Sequence, residues 1–569
     1  MSIEHTNNLK EHLKFLGVGG EIEFSIPPKP EMGDLAFGCF GIAKQEGKNP
    51  TEVAKDLEEK FKAIEDPFIK KAQAFGPYLN FYLDTGRLAE IVLEGLKENG
   101  GKLGFFEAGQ GQKVLIEYPS QNTHKEFHIG HLRISCVGNA LVQIFQKANY
   151  DVTPINYVND FGAHVVRCLW GIKKFHPDVV PGDNPQKWLG EVYTEASRYI
   201  KEHEEEVRPE LDELQKKLEA RDPDVMVLFN KTRDWSIQGF SKIHDELLIK
   251  HEKVIYESDV KDKGQEIVNE LLEKKIAEVG ERGALIINLE KYVLDVALLR
   301  KATGAGVYLT SDLALAHEKF SHFDIAESIN VTGSEQEFYF KQMFKILELY
   351  GFKNKMTHIG CGLVTLPAGK MSSREGNVVL YEDLRDEVKN RLKEEIETRH
   401  ADWPEEKKEN TALTMALGVL KFTMQKHEAK KVIVFVLKEA VSFEGFSAPY
   451  ILYAVARINS LERKAKAEGL VQSEINYSVL KENEEKNLLL VVASYEEVTK
   501  KAWQNYNPSV IAKYAFDLAQ CFNDFYNKHS VLNTEDPVLG RARLALSLAA
   551  RDTIKDALSV LTIETVNEM

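Results

Sequence analysis

The chain has 569 residues, too many for one compact core, and three or four units are expected. Hydrophobic residues make up 43% and charged residues 28%, as in an ordinary globular protein, and apolar runs such as "NLLLVVA" and "VIVFVL" stay far short of the roughly 18–20 residues that span a bilayer. The net charge of −15, from 88 acids against 73 bases, disfavours long-range attraction to a polyanion, so any nucleic-acid contact must rest on local basic patches. The start "MSIEHTNNLKEHLKFLG" has neither the order of a secretory signal nor the bias of a transit peptide. Five isolated cysteines, with no C-x-x-C pair, point to neither a disulfide framework nor a cysteine zinc site, and a cytoplasmic location without a membrane partner is expected.

Residues 1–108 read as a separate N-terminal α+β unit. It has a helical start, a turn-rich "SIPPKPEMGD", an amphipathic "NPTEVAKDLEEKFKAI" and a strand-like "PYLNFYLD". A glycine-rich linker leads to 109–403. There Val114, Leu115 and Ile116 form a short strand that runs into a polar loop, then "THKEFHIGHLRIS", helix-like "RISCVGNALVQIFQKAN" and a second strand "VTPINYV". Strand, loop, helix, strand predicts a parallel α/β sheet. Residues 187–285 are mostly charged helix in pattern and read as an insertion. "ALIINL" and "GVYLTSDLALAH" are expected to resume the sheet, and "CGLVTLPAGKMSSREGNVV" brings a strand into a basic loop. From 404 to 569 the pattern is that of an all-α helical bundle.

Three histidines, His124, His128 and His131, fall within eight positions. As a zinc site they lack a nearby fourth ligand and the glutamate of H-E-x-x-H. As core or surface histidines they need no role. As a phosphate site the pair His128/His131 makes physical sense: a helix N-terminus offers free N–H groups, imidazoles add donors, and Gly130 lets a flat base or phosphate approach the backbone. A partner is needed to decide, and "KMSSREGN" at 370–377 offers one. Lys370 and Arg374 are two cations on a short loop, with Met371 between them and Ser372, Ser373 and Gly376 supplying hydroxyls and freedom, a composition suited to closing over a triphosphate. Alone it is a solvated basic turn.

Together, strand–HIGH–helix followed by strand–KMS loop resembles the two signatures of class I aminoacyl-tRNA synthetases. "EYPSQNTHKEFHIGHLR", "KMSSREGNVV", "SFEGFSAPYILYAVARI" and "GDLAFGCFGIAKQEGKNPTEVAKDLEEKF" narrow the resemblance to the arginyl-tRNA synthetase family over nearly the whole chain. It implies a Rossmann-like catalytic domain between an N-terminal tRNA-binding domain and a helical anticodon-binding domain. It also implies ATP with Mg²⁺, L-arginine and tRNA(Arg) as partners of a chain expected to be monomeric, a homodimer being left open.

The resemblance assigns His128, Gly130, His131, Lys370, Met371, Ser372 and Arg374 to ATP, with His128, His131 and Lys370 catalytic. Tyr308 and Asp312, four apart and on one face if helical, match the family residues that hold the guanidinium; otherwise they read as a core aromatic and a helix cap. Gln336 matches a substrate-binding glutamine, and Glu117 and Asn122, expected on the loop before HIGH, match residues that recognise the amino acid and its α-amino group; Asn122 reads equally as a turn residue. For tRNA, Asn80 and Phe81 resemble a contact strand, with a buried strand end as the alternative. Tyr450, Tyr453 and Arg457 recur at helical steps suited to stacking on splayed bases, or to a core. Two departures stand out: Ser373 and Arg374 replace the usual second lysine of KMSKS, and Asn159 and Phe161 differ around Asp160 and Gly162.

Overall fold

The computed structural model describes all residues except 1–3, 21, 26, 28, 99–101, 303–306, 323, 368–378 and 471–473. Lys370, Met371, Ser372 and Arg374 therefore lie outside the described residues.

The strand Lys113–Glu117 sits at the centre of a five-stranded parallel sheet whose order is Lys355–Cys361, Glu327–Gly333, Lys113–Glu117, Asp151–Val158 and Lys253–Tyr256. Val114, Leu115 and Ile116 have no exposed surface, as a sheet covered on both faces requires. The helix Ile129–Lys147 follows the central strand. Its buried residues, among them Leu132, Cys136, Leu141 and Phe145, surround its axis, so it is a core helix and not a surface one.

Three expectations are corrected here. The stretch 187–285 is mostly helical, as expected, but it is not only an insertion, because Lys253–Tyr256 pairs in parallel with Asp151–Val158 and forms one edge of the main sheet. "ALIINL" does form a strand, Leu285–Asn288, but in a separate antiparallel sheet with Glu278–Val279 and Val296–Arg300. "GVYLTSDLALAH" contributes no strand: Tyr308–His322 is a helix, with Leu309, Leu313 and Ala316 buried at helical spacing.

N-terminal to this unit, four antiparallel strands pack Phe37, Leu79 and Phe81 against Leu9, Leu13, Leu57 and Phe61 of their helices. C-terminally, the helices Glu405–Gln425, Ala448–Ala467, Ser509–Lys528 and Pro537–Val560 dominate. One continuous core runs from the helix Thr85–Glu98 through Ile129–Lys147 into these helices.

Arg133, in the turn after the histidine pair, is buried without a carboxylate partner. Its guanidinium donates to the carbonyls of Gly362 (2.8 Å), Leu363 (3.3 Å), Glu428 (3.1 Å) and Ala429 (2.8 Å). The first two precede the strand Val364–Thr365, which pairs with Ile433–Val434 from beyond the helix Glu405–Gln425. The four N–H groups of the two terminal nitrogens serve four acceptors from two segments, which the three donors of a lysine cannot do. Arg133→Met, which keeps bulk and removes the donors, is expected to cost about 3 kcal/mol or more, read as a fall in the urea midpoint.

The described residues on either side of the second signature are also held. Its entry strand is held as above. At its exit, the Ile129 N–H donates to the carbonyl of Val379 (2.9 Å), and the Tyr381 N–H donates to that of Phe127 (3.0 Å).

Candidate active site

In open parallel sheets, ligands bind beyond the carboxyl ends of the strands. Glu117 ends the central strand and is in register with Asn330 on one side and Ile155 on the other. Side chains alternate along a strand, so Tyr157, two residues beyond Ile155, shares the face of Glu117 and Asn330. All three open on a cleft of about 1140 Å³. Every ATP- and arginine-site candidate within the described residues lines it: Glu117, Asn122, His128, Gly130, His131, Tyr308, Asp312 and Gln336.

The histidine pair caps a helix. His128 is the N-cap of Ile129–Lys147, its Nδ1 accepting from the N–H groups of Gly130 (3.1 Å) and His131 (3.3 Å), while His131 Nδ1 accepts from the His128 N–H (3.4 Å). The rings stack with centroids 3.7 Å apart. Because each Nδ1 accepts, the proton of each neutral ring sits on Nε2. Burial and nearby Lys125 hold His128 down at about 4; burial and His128 hold His131 well below its usual value. The pair therefore works as two neutral N–H donors at a helix N-terminus, a setting that favours anions. His124 is no part of it. It is fully buried, with Nδ1 on the Thr123 hydroxyl (2.9 Å) and Nε2 on that of Thr232 (2.8 Å), which leaves the zinc reading without its third ligand.

Gly130 has a local reason to be glycine. A Cβ there would lie 2.9 Å from Cε1 of His128. Gly130→Ala is expected to push the ring off its cap, costing about 1 kcal/mol of stability and at least about tenfold in turnover; denaturation and pyrophosphate exchange measured on one preparation check both.

Another part of the cleft lining is acidic. Tyr308 begins the helix Tyr308–His322, and Asp312 follows one turn on, so the conditional expectation of a shared face holds. Tyr308 is 64% exposed, which removes the core-aromatic alternative, and Asp312 is internal to its helix and caps nothing. The Tyr339 hydroxyl donates to Asp312 Oδ2. Burial, reinforced by the Glu117 carboxylate, pushes Asp312 up to about 7. Glu257, which accepts from the Ser311 hydroxyl at 3.3 Å, is pushed up to about 8 by burial and by Asp312. Gln336 stands exposed on the rim, at the N-cap of Glu337–Tyr350.

Glu117 is not on a loop, as expected, but at the buried end of its strand, ion-paired with buried Lys319. Asn122 is on the loop and bridges to Asn159. Sequence reasoning missed Lys319, Tyr339, Tyr157 and Glu257. Lys319 had a signal: it lies seven residues after Asp312, two turns along the same face. Asp160, buried, accepts from the Ser258 N–H (2.9 Å) and hydroxyl (2.7 Å) and pairs with Arg233 (3.4 Å), while Gly162 takes a φ of 122° before the helix Ala163–Phe175.

Comparison with known proteins adds the decisive observation. The family model described as tRNA synthetases class I (R), catalytic domain, matches residues 94–436; the DALR anticodon binding domain matches 451–569 and the arginyl tRNA synthetase N terminal domain matches 5–83. The arginine–tRNA ligase of Clostridium botulinum (strain Alaska E43 / Type E3) is 36% identical over 569 residues, covering 99% of this chain and 98% of that one. The chain belongs to the arginyl-tRNA synthetase family. The arginine–tRNA ligase of Clostridium perfringens is 34% identical over 99% of the chain and 98% of its own length. Among solved structures, arginyl-tRNA synthetase of Thermus thermophilus matches with a TM-score of 0.83 at 25% identity, covering 100% of both chains. That of Plasmodium falciparum matches in fold, with a TM-score of 0.77 at 20% identity over 99% of this chain and 97% of that one.

For an arginyl-tRNA synthetase the RNA-facing candidates divide. Asn80 and Phe81 are turned inward: Asn80 is 2% exposed and donates to the Met32 carbonyl (2.8 Å), and Phe81 packs edge-on against Phe61. Both are thus buried inside the strand Tyr78–Leu83, which agrees with the alternative of a buried strand position. Tyr450, Tyr453 and Arg457 are half-buried on the helix Ala448–Ala467. Arg457 lies over the rings of Tyr453 (4.8 Å) and Tyr526 (4.9 Å) and donates to Asn523 (2.8 Å), and Tyr450 packs on Phe516.

Proposed function

We propose that the protein is an ATP-dependent arginine–tRNA ligase that charges tRNA(Arg) with L-arginine through an arginyl-adenylate, releasing AMP and pyrophosphate. The observation that carries this reading is the presence, in one cleft of a chain of this family, of two neutral imidazole donors and an acidic cluster around Asp312. In the reaction, an oxygen of the arginine carboxylate attacks the α-phosphorus of ATP and pyrophosphate leaves. The terminal ribose hydroxyl of the tRNA then attacks the arginyl carbonyl, and AMP leaves. No side chain forms a covalent bond, so the protein supplies alignment and charge.

His128 and His131 donate from Nε2 to the phosphates, and Gly130 admits the adenine to the backbone. Lys370, with Met371, Ser372 and Arg374 of the second signature, takes the phosphates and the leaving pyrophosphate. Asp312 and Tyr308 hold the guanidinium with Gln336 at the rim, and Glu117 and Asn122 take the α-amino end. Tyr450, Tyr453 and Arg457 take tRNA bases. Mg²⁺, bound with ATP, supplies positive charge to the phosphates. We further propose unit borders near 108 and 403, a monomer, and a cytoplasmic location; among the described residues no helix is long and apolar enough to cross a membrane.

Exchange of labelled pyrophosphate into ATP, run across the twenty amino acids with and without tRNA, tests this reading. Exchange is expected with arginine and only when tRNA is present. Exchange driven by another amino acid, or none at all with tRNA, would overturn it.

A further inference from the structure

Tyr157 carries an unexplained polar atom. It is 4% exposed, it lines the cleft, and its hydroxyl oxygen is buried with no hydrogen-bond partner. Buried hydroxyls are nearly always paired, so an orphan facing a ligand site points to a partner that arrives with the ligand.

The surroundings define that partner. Tyr157 shares a sheet face with Glu117 and Asn330, and its ring packs in the same apolar cluster as Leu309 and Leu313 of the helix that presents Asp312. Burial foremost, and then the carboxylates of Asp312, Glu257 and Glu117, raise the phenol far above its usual range, so the hydroxyl lies within the field of these acids. A group entering there must be cationic and rich in donors. A guanidinium has five N–H donors in one plane and no acceptor, so it needs acceptors on more than one edge. Asp312 offers two oxygens, and Oδ2 already accepts from Tyr339. One edge of the fork is thus left for another acceptor.

We propose that Tyr157 is a specificity-determining residue of the arginine pocket, its phenol oxygen accepting an N–H from the substrate guanidinium held by Asp312. This rests on the reading of the cleft as the arginine site. The free protein tolerates the unmade bond, and the substrate repairs it. A substrate without a donor at that edge leaves the hydroxyl orphaned and gains no such term.

Tyr157→Phe is the test, because it keeps the packed ring and removes only the oxygen. In tRNA-dependent pyrophosphate exchange, the KM for arginine is expected to rise about tenfold to a hundredfold, the range for a hydrogen bond to a charged group, with kcat and the KM for ATP unchanged. Inhibition by n-butylguanidine, which has the guanidinium but neither ammonium nor carboxylate, should weaken by the same factor. The melting temperature of the arginine-free variant should not fall, since no hydrogen bond is lost. An unchanged arginine KM, unchanged butylguanidine inhibition, or a lower melting temperature with arginine and ATP weakened alike would each overturn the proposal. Wild-type protein without arginine-dependent exchange would instead overturn the reading of the cleft, and the proposal with it.

Discussion

Asp312→Asn is expected to raise the KM for arginine by about two to three orders of magnitude while leaving the KM for ATP near its wild-type value. The substitution is isosteric, so what disappears is the charge that offsets a desolvated guanidinium, and an uncompensated cation in such a wall costs about 3–5 kcal/mol. Steady-state exchange kinetics with each substrate varied in turn read the effect; equal losses for arginine and ATP would refute the assignment. A pH dependence accompanies it. The Asp312 carboxyl sits at about 7 in the fold, raised from 3.8 by burial first and then by Glu117. Between those values the folded chain holds a proton that the unfolded chain has released, so this group's contribution to stability falls as pH rises through the window. Glu257, raised from 4.5 to about 8, acts with the same sign. Arginine selects the ionised form, so its KM should climb as pH drops below about 7, by up to about tenfold per unit for one coupled proton. In Asp312→Asn the slope attributable to this group should vanish, and the arginine-free protein should lose less stability between about pH 4 and 7 than wild type does.

His131→Ala should lower pyrophosphate exchange by about 10²- to 10³-fold, by analogy with the loss of one preorganised donor to a developing oxyanion. Because His131 also closes the capping box, part of any effect could come from a frayed helix, and His128→Asn separates the two roles. Asparagine is among the best N-caps, so the helix should hold, yet its short amide replaces the Nε2 donor and the rate should still fall. With His128 at about 4 and His131 held well below its usual value by burial, neither ring gains charge near neutrality. At saturating arginine, exchange should therefore show no histidine step between about pH 6 and 8. A rate that collapsed on deprotonation near 6.5 would mean that imidazolium, and not neutral imidazole, does the work.

The parts of this molecule that were legible in the sequence are those that local chemistry dictates. The run Val114–Ile116 is apolar because both sheet faces are covered, and His128 and His131 stand three apart because a capping box needs that spacing. What was not legible depends on long-range pairing. Lys253–Tyr256 is four residues long and flanked by charged helices, and only its register against Asp151–Val158 makes it part of the sheet. "GVYLTSDLALAH" mixes β-branched and aromatic residues with alanine and leucine, and the burial of Leu309, Leu313 and Ala316 decides for a helix. The same limit applies to the cleft. Tyr308 and Asp312 could be paired by spacing, but Glu257, Tyr339 and Tyr157 come from other elements, and only the fold brings them into the field of the Asp312 carboxylate.

Many charged contacts among the described residues are exposed lysine–carboxylate pairs, which weaken in salt and on protonation of the acid. The joint at Arg133 is of another kind. Peptide carbonyls do not titrate, a guanidinium keeps its proton at any pH where proteins fold, and little of the contact reaches solvent. The seam between the helix that carries the histidines and the segments leading to the second signature and the helical domain should therefore hold its registry across ionic strength and acidity. When conditions change, the substrate pocket responds while the frame around it stays put.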